Sequence, residues 1–159
     1  MDFVAKADIE APVVWVFQRV TDFTAFERQA MRRGADVRRA DALPRPGLGS
    51  IWDVQFRFRG KDRQLRAEIA SFEPPNGYDV QMVSPNLQGS MRVELVALSR
   101  AKTRLSVEMT VEAKTLPARL LLQSLKLAKG NMNGRFETRV TDFAKELQDR
   151  YARRPGAVK

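Results

Sequence analysis

Residues 115–151 read TLPARLLLQSLKLAKGNMNGRFETRVTDFAKELQDRY, and this stretch decides the fold. Leu121, Leu125, Ala128, Met132, Phe136, Val140, Phe143, Leu147 and Tyr151 step by threes and fours, so they share one helical face. The pattern predicts one continuous helix from Thr115 to about Tyr151. A helix of that length needs an apolar surface to lie on. The residues before it read mostly as short strands, which supply such a surface as a curved antiparallel sheet. A sheet gripping a long helix favours a ligand cavity between the two.

Residues 2–10 alternate, with Phe3, Ala5, Ala7 and Ile9 on one face and Asp2, Lys6, Asp8 and Glu10 on the other. Pro12 sits where a first-turn proline is tolerated and opens a short helix carrying Val14, Trp15 and Phe17. Thr24-Ala25-Phe26-Glu27 matches a capping box, so a second short helix is expected from there to Gly34. Asp22 is expected to cap or brace it. Ala35–Leu43 is a weak edge-like strand ended by Pro44 and Pro46. Ser50–Arg59 is the clearest strand, with Trp52, Val54, Phe56 and Phe58 facing one way. Gly60-Lys61-Asp62-Arg63 turns it, and Leu65, Ala67 and Ile69 return inward. After the Pro74-Pro75-Asn76-Gly77 turn come three more inner rows. These are Tyr78, Val80, Met82; then Gly89, Met91, Val93, Leu95; then Leu105, Val107, Met109, Val111.

The fold class is therefore α+β: a curved antiparallel sheet of about six to seven strands wrapped on a long C-terminal helix, with two short helices after the first strand. The ordered motifs Ala11-Pro12, Val14-Trp15, Asp22, the glycine-containing PGLGSIWDV and the proline turn FEPPNGYDV span nearly the whole chain. Together they resemble the START-like, or SRPBCC, superfamily, which includes polyketide cyclase/dehydrase-like and Bet v 1-like helix-grip proteins. The resemblance implies the helix-grip fold and a cavity for a hydrophobic ligand. It does not choose among lipid binders, cyclases and quinone-binding chaperones. One such domain is expected over residues 1–152, followed by a flexible basic tail at 153–159 that includes Arg153, Arg154 and Lys159.

Composition narrows the chemistry. The 159 residues carry 28 Lys and Arg against 19 Asp and Glu, a net charge of +9. Such a surface attracts anions, so an anionic membrane is a candidate partner and nucleic acid is disfavoured by the inward-facing aromatics. There is no cysteine and no histidine, which removes thiolate chemistry, disulfides, the usual zinc ligands and the commonest general base. No metal site and no cofactor are expected. The one N-terminal apolar run, Val13–Phe17, is too short for a signal peptide, so a cytoplasmic location is the expectation.

Nine residues are expected to bind ligand: Trp52, Phe56, Phe58, Tyr78, Met82, Met91 and Met109 from the sheet, and Met132 and Phe136 from the helix. Trp52, Phe56, Met91, Met109 and Met132 are expected to line one shared space. Methionines make that lining adaptable and suit a flexible apolar or aromatic ligand. Plain core packing is the competing account of each position taken singly. Gly130 and Gly134 are expected either to pack closely against a loop or to loosen the helix over the cavity mouth. Tyr78 is the one candidate proton donor, and no catalytic cluster emerges. Binding or sequestration of a hydrophobic small molecule or lipid leads. A cyclase/dehydrase-like enzyme and a basic-surface interaction module stand as alternatives. Finally, a two-residue turn at Lys61-Asp62 would place Arg57 directly across from Arg66. That pair is an anion-site candidate, with a neighbouring carboxylate as the plainer reason for tolerating it.

Overall fold

The computed structural model describes residues 1–156. Its elements run β1 (Asp2–Ile9), α1 (Val13–Val20), α2 (Phe23–Arg32), β2 (Asp36–Arg39), β3 (Ile51–Phe58), β4 (Lys61–Glu73), β5 (Gly77–Val83), β6 (Leu87–Ser99), β7 (Lys102–Ala113), α3 (Leu116–Lys126) and α4 (Lys129–Ala152). The seven strands form one antiparallel sheet in the order β1-β7-β6-β5-β4-β3-β2. Each hairpin neighbour pairs in sequence, and β1 closes the far edge beside β7. The helices gather on the concave face, with α4 along β1. This is the expected α+β helix-grip arrangement.

The inner rows are those the alternation sets. Register carries Trp52, Ala67, Met82, Gly89 and Val111 across the sheet as one row, and Ile69, Val80, Met91, Met109 and Phe3 as the next. Outward cations meet acids across neighbouring strands. Arg66 donates to Asp53 at 2.8 Å, Arg92 to Asp79 at 3.0 Å and Arg104 to Asp8 at 2.9 Å.

Three local expectations are corrected. The β3–β4 turn is Arg59-Gly60, closed by Phe58 opposite Lys61, not Lys61-Asp62. Arg59 and Gly60 both take positive φ, +52° and +76°. That is the primed turn geometry whose twist matches a hairpin, and glycine at its second position makes it accessible. The two-residue shift pairs Arg57 with Asp62 and Asp53 with Arg66. The Arg57/Arg66 juxtaposition, and the anion site built on it, is thereby removed.

The cap of α2 is also moved. Its N-cap is Asp22, whose carboxylate accepts from the Ala25 N–H at 3.2 Å, so the helix starts before Thr24. Asp22 therefore does cap the second helix.

The long helix is broken. α3 ends at Lys126, and Leu127 and Ala128 separate it from α4. The Ala128 N–H bonds the Leu125 carbonyl three residues back, then regular pairing resumes with Met132 N–H on Ala128. A straight 37-residue helix would run roughly 55 Å, whereas a 13-residue strand reaches only about 43 Å. Bending keeps the apolar stripe over the sheet. The break is not at the glycines: a Cβ at Gly130 or Gly134 would meet nothing within 4 Å, so neither packs closely.

The tightest packing lies where α1 and the C-terminal half of α4 meet β1, β6 and β7. Ile9, Val16, Leu95 and Leu147 are fully buried there. Trp15 stands edge-on to Tyr151 at 5.0 Å. The Thr103 hydroxyl donates to the Ala11 carbonyl at 2.8 Å, satisfying both buried groups. Of the expected tail, Arg154 folds back over the Tyr151 ring at 3.7 Å, while Lys159 lies outside the described residues.

Candidate functional site: an apolar cavity under the sheet

The other half of the concave face is not filled. A cavity of about 580 Å³ lies between the sheet, α2 and α4. The strands reach it through the inner rows, because successive residues of a strand face opposite ways. Trp52, Tyr78, Met91 and Met109 come from the sheet, and Phe136, Val140 and Phe143 from α4. Of the residues around it, Glu27 and Arg139 alone carry charge. A volume of this size suits a small organic ligand, and an apolar wall with few polar groups is the usual character of such a site.

Phe23, Phe26, Trp52, Tyr78 and Phe143 form a connected aromatic cluster, and Phe3 with Phe136 a separate pair. Phe23 lies 5.4 Å from Trp52 and 5.2 Å from Tyr78, the latter edge-on. Phe26 meets Phe143 at 6.1 Å, and Phe3 meets Phe136 at 5.8 Å. Trp52 is oriented from both sides. Its indole N–H donates to Glu27 Oε1 at 2.6 Å, and the Arg39 guanidinium lies 5.3 Å above its ring. Arg39 is itself held by Asp41, donating to Oδ2 at 2.8 Å. That carboxylate also accepts the Ile51 and Leu43 N–H groups at 2.7 and 2.9 Å. The Arg39 hydrogen bond, reinforced by these backbone donors, holds the Asp41 carboxyl well below the usual carboxylate range.

Tyr78 is buried, and its hydroxyl donates to the Val20 carbonyl at 2.8 Å. Burial pushes its pKa above the ordinary tyrosine value. The hydroxyl thus ties β5 to the end of α1.

The nine expected ligand residues fall into three groups. Trp52, Tyr78, Met91, Met109 and Phe136 surround the inner cavity. Phe56 and Met82 instead line a second cavity of about 640 Å³, between the β3–β4 and β5–β6 hairpin ends and α3. Met109 borders both cavities. Phe58 and Met132 line neither. Phe58 is on the concave side, but the β3–β4 tip carries it into solvent. Met132 sits in the first turn of α4, just after the bend. The single shared space expected for Trp52, Phe56, Met91, Met109 and Met132 is thus divided.

Sequence reasoning missed the α2 wall. Phe23, Phe26 and Ala30 recur at spacings of three and four, the signal of one helical face, and all three border the inner cavity. Their period was readable; which surface the short helix would cover was not.

No family model matches the chain, and no curated protein matches it. The geometry of the solved structures does. The Zhui aromatase/cyclase from Streptomyces sp. R1128 superposes with a TM-score of 0.67 at 12% identity, covering 99% of both chains. The chain has the START-like, or SRPBCC, fold. A START superfamily protein from Mycobacterium smegmatis gives a TM-score of 0.55 at 16% identity, covering 86% of this chain and 97% of that one. Ara h 8.0201 gives 0.55 at 17% identity over 88% and 97%. At these identities the likeness is one of START-like architecture, and function has to come from the site.

Proposed function

We propose that this START-like protein binds a hydrophobic or aromatic small molecule or lipid in the inner cavity. The observation that carries the reading is the cavity itself: about 580 Å³ whose lining is apolar apart from Glu27, Arg139 and the committed hydroxyl of Tyr78. Burying apolar ligand surface there contributes about 25 cal/mol per Å². The soft side chains of Met91 and Met109 adapt to ligand shape. The polar groups favour sequestration over turnover. The Tyr78 hydroxyl is spent on Val20 and Glu27 accepts from Trp52, so both have structural duties.

The alternative is a cyclase/dehydrase-like activity, and the Zhui aromatase/cyclase supports it through shared architecture. That reading needs proton transfer from within the cavity, for which the charged groups of the lining are Arg139 and, on releasing the Trp52 N–H, Glu27.

The test fills the space. Ala67 borders the cavity in the same cross-strand row as Trp52 and Met82. The substitution Ala67→Phe is expected to abolish uptake of a fluorescent naphthalene probe while leaving the melting temperature unchanged or raised. Uptake equal to wild type in a folded Ala67→Phe protein would contradict binding in this cavity.

A further inference from the structure

α3 carries leucine on both of its faces. Ala118 is buried, and Leu121, Leu122 and Leu125 are half-buried toward the sheet. On the opposite side Leu116 is 69% exposed and Leu120 59%, and Leu127 at the bend is 92% exposed. A helix that exposes leucines on its outer side as well as burying them on its inner side ordinarily has a second apolar partner. The same segment has a one-sided charge. From Ala113 to Phe136 there is no Asp or Glu, while Lys114, Arg119, Lys126, Lys129 and Arg135 are all basic.

A second element bordering the same cavity presents the same chemistry. The β3–β4 tip exposes Phe58 by 42%, with the Arg59 and Arg63 guanidinium carbons 5.7 and 5.6 Å from its ring centre. Lys61 is exposed beside it. The acid of the tip, Asp62, pairs with Arg57 at 3.7 Å. The tip and α3 together border the second cavity: Phe56, Lys61 and Arg63 on one side, Pro117, Ala118 and Leu121 on the other. The two elements that carry the exposed apolar side chains and the cations therefore flank the same cavity from opposite sides.

Single exposed leucines are ordinary, but exposed apolar side chains beside cations on both elements that flank one cavity mark an interaction surface. Its occupant has to be apolar beneath and anionic at its surface. A second copy of the chain would bring like charges together. An anionic bilayer matches both requirements, since its headgroups attract lysine and arginine and its acyl layer accepts the leucines and Phe58. Among the described residues no helix is long and apolar enough to cross a membrane.

We infer that α3 and the β3–β4 tip dock the protein on an anionic lipid surface, with the second cavity opening onto the lipid. This surface stands apart from the inner-cavity reading and holds whether or not that cavity is occupied.

Co-sedimentation tests it, using phosphatidylcholine vesicles with and without phosphatidylserine. Wild type is expected to bind the phosphatidylserine vesicles and to leave the neutral ones in the supernatant. Each basic side chain near such a surface contributes about fivefold, so Arg59→Gln with Arg63→Gln is expected to weaken partitioning by about 25-fold. Leu116→Ser with Leu120→Ser is expected to weaken it about tenfold, with unchanged circular dichroism because both leucines are exposed. Lys145→Gln with Arg150→Gln, exposed on the distant half of α4, is expected to change it less than twofold. Equal binding to both vesicle types would overturn the inference. So would a leucine variant that binds like wild type, or a remote-charge variant that weakens binding as much as the tip variant. A wild type that ignores vesicles and sediments as a dimer dissolved by the leucine substitutions would assign the face to a second copy.

Discussion

The two ends of the concave face are built from the same kind of sequence and pack differently. At one end α1 and the C-terminal half of α4 lie on β1, β6 and β7, and Ile9, Leu95 and Leu147 are fully buried. At the other end the same alternating strands and the same helical stripe surround two cavities. Apolar periodicity fixes which face a side chain takes. It does not fix whether the facing layer is close enough to fill the space. Here α1 and the straight part of α4 close one end. At the other end α2 and α4 bound the inner cavity, and α3, beyond the bend at Leu127–Ala128, bounds the second.

Truncation should separate the ends most strongly. Leu147→Ala removes a side chain from a dry, filled layer, where leucine-to-alanine changes cost about 2–5 kcal/mol. Phe136→Ala only enlarges a cavity whose wall is already half-buried, so it should cost less than Leu147→Ala despite deleting more atoms. Urea unfolding measures both, and a larger loss at Phe136 would break the contrast. Enlargement sharpens it from the opposite direction. Ala144→Phe, in the packed layer, should lose about 1–3 kcal/mol through overpacking, whereas Ala67→Phe should lose nothing.

The strut between the ends gives a smaller effect. Tyr78→Phe leaves the Val20 carbonyl without its donor, and should cost about 1–2 kcal/mol with little change in shape. A neutral Tyr78→Phe substitution would mean that the hydroxyl is not a structural tie. At the open end, Gly130→Ala and Gly134→Ala should each stabilise by up to about 1 kcal/mol, because both are exposed in a helix with free space at Cβ. Loss of stability in either variant would show that the glycines serve a bent or tightly packed state.

The smallest effect is one of pH. Asp41 is ionised more readily in the folded chain than in the unfolded one, since Arg39 and the Ile51 and Leu43 N–H groups stabilise its anion. Its contribution is therefore complete above the unfolded aspartate range, near pH 4, and is lost as pH falls below it. Asp41→Asn should flatten the acid limb of a stability–pH profile. An unchanged limb would assign acid sensitivity to Asp8 and Asp53, whose carboxyls are also lowered by hydrogen bonds from Arg104 and Arg66.

The fold was legible because period-two alternation and the helical stripe are local signals. The first survives from Trp52 through Val111 and the second from Met132 to Tyr151. The candidate site was legible only in part. Trp52, Tyr78, Met91, Met109 and Phe136 were placed by alternation and by the helix stripe. Phe56 and Met82 face a second cavity under α3, beyond a break in the C-terminal helix that no glycine or proline at Leu127–Ala128 marks. Phe58 was lost to the hairpin register, set by the positive φ angles of Arg59 and Gly60. Phe23 and Phe26 were hidden because docking a ten-residue helix depends on tertiary contacts.

The most direct test of the central claim is native mass spectrometry of the protein before and after organic extraction, followed by addition of the naphthalene probe. The account expects the extracted wild type to take up one probe molecule per chain, and Ala67→Phe to take up none. A wild type that stays at its bare mass throughout, at probe concentrations where other apolar sites saturate, would contradict a ligand-binding cavity.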